Sequence, residues 1–163
     1  MLEKLIKFFV YKTKGNITKI QLFKFLYLAD LYTVKWTGKQ LTNLDWRFSL
    51  YGPWTQDIED ALQEMNGSEI ILEDRGRTCL IRMGPKGNEA ENFNLPKSLE
   101  FMLENIRREW AGTKNDNIER LLNYVYNTAP MVDIQQRHEP EEKASLNLLK
   151  EREVLLREIE DTS

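Results

Sequence analysis

Three observations predict a mainly α (α+β) fold, a compact helical domain around one buried central helix with a small β-hairpin, plus a long charged C-terminal helix. Apolar residues wrap most of the circumference of the segment following Ile17, apolar stripes at helical spacing recur on either side of it, and one stretch, residues 69–83, reads as paired strands. The 163 residues suffice for one domain with a core of ordinary size, and 41% hydrophobic with 30% charged residues is a globular rather than a disordered composition. The helical domain is expected over residues 1–135 and the charged helix over residues 139–160.

The first helix is marked by Leu2, Leu5, Ile6, Phe9 and Val10, and ended by Gly15 and Asn16. The second opens at Thr18 and Gln21, a capping-box pair in which each side chain answers the other residue's backbone amide. Ile20, Phe23, Tyr27, Leu31 and Val34 form one stripe and Leu22, Phe25, Leu26 and Ala29 another, so this helix is central, with Gly38 as its left-handed terminus. Residues 41–51 read as an extended connection in which Trp46, Phe48 and Tyr51 alternate, with Gly52 and Pro53 as the turn. Thr55 is the N-cap of a short helix carrying Ile58, Ala61, Leu62 and Met65 inward, stopped by Asn66 and Gly67. The runs EIILED and RTCLIRM, joined around Arg75 and Gly76, form a hairpin that must pack on helices or pair with another strand. A polar, mobile loop over residues 84–96 precedes two helices, one with Leu99, Leu103, Ile106 and Trp110 in register and one with Ile118, Leu121, Leu122 and Val125, the last ended at Thr128, Ala129 and Pro130. From Pro140 onward the dense charge and leucines predict one long, largely exposed helix.

Composition narrows the function. A net charge of −3 gives no general attraction to a polyphosphate, so a nucleic-acid role would need a local basic face, supplied by Lys19 and Lys35 beside Arg75 and Arg77 at a hairpin tip in a winged-helix arrangement. Against it, the second helix lacks the polar, basic face of a recognition helix. The single cysteine, Cys79, reads as a small core residue, and the single histidine, His138, as a surface residue in a polar linker, so neither a metal cluster nor a nucleophile–base pair is expected. No cofactor is expected and no enzyme. No segment approaches a membrane span or a cleaved leader, which points to a reduced, cytoplasmic setting without membrane contact. Asp30 stands out: a carboxylate inside FLYLADLY needs solvent, a cation or a helix terminus, and a structural ion pair or cap is the expectation. Trp36, Trp46 and Trp54 are expected in the core, with an exposed interface as the competing reading.

The stretch LFKFLYLADLYTVKWTGKQLTNLDWRFSLYGPWTQDIEDAL resembles the Panacea domain family, formerly described as DUF4065 and known from SocA-type antitoxins. The residues that carry the resemblance are Lys24, Phe25, Leu26, Tyr27, Leu28, Ala29 and Asp30, then Gly38, then Tyr51, Gly52 and Pro53 followed by Trp54, then the helix after them. The hairpin and the VYNTAP segment at residues 125–130 are similar to later parts of the family, whereas the charged C-terminal helix is not placed by it. Phe25 stands where the family usually has leucine. The resemblance implies a non-enzymatic antitoxin of a toxin–antitoxin system that binds a cognate toxin protein directly, or an adaptor that hands a toxin to a protease. It also implies carriage by prophages and mobile elements. It assigns Lys24, Tyr27, Asp30, Gly38, Tyr51, Gly52, Pro53 and Trp54 to structure or partner binding. A DNA-binding regulator is the alternative.

Overall fold

The structure is a computed structural model that describes residues 1–88, 90–137 and 143–162. His138, Pro140, Glu141 and Glu142 lie outside the described residues. Helices α1 (Leu2–Lys12) and α2 (Lys19–Thr37) are followed by a small hairpin, β1 (Arg47–Ser49) and β2 (Gly52–Trp54), then α3 (Gln56–Met65), a second hairpin, β3 (Ile70–Asp74) and β4 (Cys79–Met83), and helices α4 (Lys97–Trp110), α5 (Asn115–Tyr126), α6 (Ala129–Arg137) and α7 (Leu149–Thr162).

α2 is the axis. Its start is fixed by the capping box, with Thr18 Oγ1 accepting from Gln21 N at 3.1 Å and Gln21 Oε1 accepting from Thr18 N at 3.0 Å. Every residue from Gln21 to Leu31 is buried, because α1, α4, α5, α7, β2 and β4 all pack around it. A helix apolar on nearly all sides has no face to give to water, so the other elements form a shell around it. Phe8, Phe9 and Phe25 interlock between α1 and α2 with ring centroids 5.2 to 5.6 Å apart.

Neither hairpin stands alone. Leu72 pairs with Ile81 in the second hairpin, and Ile81 N donates to Ile17 O at 2.9 Å, so the strand continues into the residues that lead to α2. The loop over residues 84–96 is irregular but anchored, with Phe93 buried between Phe8 and Tyr11.

Four details differ from expectation. The turn of the first hairpin is Leu50–Tyr51, not Gly52–Pro53, because Ser49 pairs with Gly52 and Phe48 with Pro53. Consequently Trp46 and Phe48 point inward while Tyr51 leaves the alternation and stands 77% exposed. The helix before Thr128 does end, α5 closing at Tyr126, but an unexpected further helix, α6, begins at Ala129, where a proline in the first turn costs no hydrogen bond. Finally, the charged C-terminal helix is present but starts later than expected. Among the described residues, 143–148 run extended beside β1, with Phe48 N donating to Ala144 O at 2.7 Å and Leu146 N to Trp46 O at 3.0 Å, and α7 begins only at Leu149. Leu146 and Leu148 are buried there, which offsets the lost helical turns.

Candidate functional site

The sequence-singled residues lie in three places along α2. Asp30 is fully buried, and its carboxylate accepts from Thr42 N at 2.9 Å, Thr42 Oγ1 at 2.5 Å, Trp46 Nε1 at 2.8 Å and Gln40 Nε2 at 3.2 Å. The expected ion pair or cap is therefore replaced by a cage of neutral donors, all from the connection between α2 and β1. Four donors converging on one carboxylate compensate its desolvation and fix the path of that connection. The carboxylate has no exposed surface. Trp46, the tryptophan bound to it, stacks edge-on against Tyr27 at 5.5 Å. The Tyr27 hydroxyl in turn shares a hydrogen bond with Thr128 Oγ1 at 2.8 Å, and burial raises its phenol well above the ordinary range.

At the far end of α2, Gly38 adopts φ +81° and donates to Val34 O at 2.8 Å. Any side chain here would also meet the Arg152 guanidinium of α7, whose Nη1 donates to Lys35 O at 3.0 Å and so caps the helix terminus from outside. Gly38 is thus a terminus and a docking surface for α7.

The third place is the first hairpin. Lys24 is 2% exposed, and its ammonium donates to Tyr51 O. Tyr126 Oη donates to Leu50 O at 2.8 Å, so both carbonyls of the two-residue turn are held by side chains from the helical core. Gly52 has φ +107°, and a Cβ added there would lie 3.0 Å from Lys24 Nζ. Glycine is required here twice over, for its backbone and for the lysine. Burial lowers the Lys24 ammonium to a pKa of about 8.

Between the tip and α2 lies a groove of about 320 Å³, lined by Lys19, Ile20, Phe23 and Lys24 on the helix, and by Tyr51, Pro53 and Trp54 on the hairpin, with Ser49 and Glu59 completing it. Lys19 is paired with Glu59 at 2.6 Å. Trp54 is half-buried, and Lys143 Nζ sits 5.5 Å from its ring centroid. Lys24, Tyr51, Gly52, Pro53 and Trp54 therefore lie together, while Tyr27 and Asp30 are in the interior and Gly38 is at the far end of α2.

The candidate nucleic-acid residues are scattered. Arg75 is paired with Glu73 at 3.1 Å, which also takes Arg82, so that hairpin end is partly neutralised. Lys19 and Lys35 are separated by about 24 Å of helix at 1.5 Å per residue. Arg77 is exposed and shares a concavity with Lys19 alone of these residues. Trp36 is 65% exposed, against the expectation of core packing, and lies with Tyr32 and Phe101 along a second groove between α2 and α4. Cys79 is half-buried in β4, where desolvation raises its thiol above the ordinary value.

Sequence reasoning missed Gln40, Thr42, Tyr126, Thr128 and Arg152. Tyr126 and Thr128 belong to the VYNTAP segment already noted, and a tyrosine and a threonine two apart at a helix end were the available signal. Gln40, Thr42 and Arg152 carry none, because their partners are fixed by tertiary packing.

A family model described as "Antitoxin SocA-like, Panacea domain" matches residues 22–159. The match takes in all three parts of the site and also α7, the element left unplaced by the motif. No curated protein matches the chain, and no solved structure does.

Proposed function

The chain belongs to the SocA-like antitoxin family built on the Panacea domain, and from that membership we propose that it neutralises a cognate toxin by direct protein–protein contact, without chemistry of its own. The observation that carries this reading is the hairpin tip. Leu50 and Tyr51 are 59% and 77% exposed on a turn whose two carbonyls are held by Tyr126 and Lys24. An exposed aromatic on a backbone that is already fixed loses little entropy on binding, which is what an interface anchor requires. The groove behind it gives the partner a concave surface to enter. A cytoplasmic setting follows from the same reading. Among the described residues no helix is long and apolar enough to cross a membrane.

The DNA-regulator reading has less support, since its basic residues are paired or far apart. Co-expression with the product of each adjacent open reading frame, followed by growth scoring and co-purification, tests the proposal. Growth rescue with a stable complex, and a loss of at least tenfold in affinity for Tyr51→Ala at unchanged stability, is the expected result. Rescue without a complex would refute direct neutralisation and favour delivery to a protease or transcriptional control. Carriage on a prophage or mobile element would be read from the same neighbourhood.

A further inference from the structure

We propose that the groove between α2 and the first hairpin is a carboxylate-receiving pocket, which takes an acidic side chain of the partner protein, flanked by an apolar residue, onto the ammonium of Lys24. The inference rests on the antitoxin reading for the identity of the partner, and on the groove itself for its chemistry.

Lys24 is 98% buried yet lines the groove. An ammonium has three N–H donors, and the acceptor found for it among the described residues is one backbone carbonyl, Tyr51 O. No carboxylate lies within ion-pair distance of it among the described residues, although twelve such pairs form elsewhere. Its groove neighbour Lys19 does have one, Glu59, so that pair is neutral and the uncompensated charge of the groove is that of Lys24. A buried cation facing only a neutral carbonyl is costly to the free protein, and an incoming carboxylate recovers that cost. The lowered pKa of Lys24 is the mark of the same imbalance, since burial alone causes it.

The walls decide what accompanies the charge. Ile20, Phe23, Pro53, Trp54 and the Tyr51 ring are apolar surfaces around the ammonium, and they exclude water from an ion pair formed there. A bare anion would leave those walls wet, whereas a carboxylate on a side chain next to an apolar residue would cover them. Gly52 keeps the approach open, because a Cβ there would press on Lys24 Nζ and Cε. The free chain therefore holds a site that is apolar at its walls and cationic at its base, complementary to an acidic, amphipathic segment.

The test uses the full chain and two probes of equal shape, 4-phenylbutyrate and its neutral amide, followed by NMR at the Lys24 side chain and at the Ile20, Tyr51 and Gly52 amides. Saturable shifts at these positions with the carboxylate, and at least tenfold weaker ones with the amide, are expected. Equal effects of the two probes, or none from either, would overturn the pocket. Acetate acting as well as phenylbutyrate would make it a bare anion site and overturn the partner assignment. Self-association of the chain that phenylbutyrate disperses would give the groove to a second copy and likewise overturn that assignment.

With a toxin recovered by co-expression, each of its acidic residues is changed to the amide. One of them should lose at least tenfold in affinity for the wild-type chain and under twofold for Lys24→Met, with Lys24→Arg as the variant that keeps both charge and hairpin. Absence of any such coupled residue refutes the inference while leaving the antitoxin reading intact. If no toxin binds at all, the antitoxin reading fails and the probe titration still decides the pocket.

Discussion

Replacing Gly52 by alanine should expose how two segments 28 positions apart in sequence depend on each other. The backbone at φ +107° disfavours any L side chain, at a cost of about 1–3 kcal/mol. The new Cβ would also lie 3.0 Å from Lys24 Nζ and 3.1 Å from Cε, so the lysine must shift, and the prediction is that the shift breaks its bond to Tyr51 O. Losing a hydrogen bond to a charged group costs about 1.5–3 kcal/mol more, for a total of up to about 6 kcal/mol. In a Lys24→Ala background the obstacle is gone and only the backbone cost remains. The double-mutant cycle should therefore return a coupling of about 2 kcal/mol, read by urea unfolding with tryptophan fluorescence and linear extrapolation. If Gly52→Ala costs the same in both backgrounds to within about 0.5 kcal/mol, the lysine is not what excludes a side chain there, and the account of the hinge is wrong.

Removing the Asp30 carboxylate by Asp30→Ala orphans three buried donors, Trp46 Nε1, Thr42 N and Thr42 Oγ1, and should cost about 3–9 kcal/mol in chemical denaturation, at about 1–3 kcal/mol for each orphan; a loss under about 1 kcal/mol would contradict the cage. Lys24 makes stability depend on alkaline pH: its folded pKa of about 8 lies below the unfolded value near 10.5, so its penalty is fully present below pH 8 and is relieved as pH rises. Wild type should gain about 2 kcal/mol on Lys24→Met between pH 8 and 10. The difference between the two isolates the lysine from Tyr126 and Cys79, whose raised values act in the opposite sense as pH climbs, and a flat difference would show that Lys24 is not desolvated. Arg152→Ala should speed amide exchange throughout α7 while α1 keeps its protection, and unchanged exchange would mean that the cap on Lys35 O does not hold that helix.

The helical frame was legible because its signals are local. The Thr18–Gln21 box, the Gly38 terminus and the two runs of the second hairpin each declare themselves within a few residues, and each is present. What escaped was decided by contacts distant in sequence. Residues 143–148 have helical composition, but the open edge of β1 offers them backbone partners and a place to bury Leu146 and Leu148, and that outweighs propensity. Trp36 lies inside the family motif, which more often records fold than contact, yet it falls where α2 emerges from its shell. The site was half legible. The motif gave Lys24 and the Tyr51–Trp54 stretch, but that the lysine grips one carbonyl of the Leu50–Tyr51 turn, with Tyr126 gripping the other, required the folded chain.

Residues 143–148 bond along the side of β1 away from β2, with a bridge between Arg47 and Ser145, so the segment that leads into α7 and the exposed turn are attached to the same small hairpin. Fraying of the tail and loosening of the turn are then expected to be coupled. By reciprocity, a ligand that favours the closed turn must slow enzymatic clipping of the tail to the degree that the intact tail strengthens the ligand's hold. The lifetime of the free chain and its grip on a partner would be two readings of one equilibrium, with the unoccupied molecule the shorter-lived.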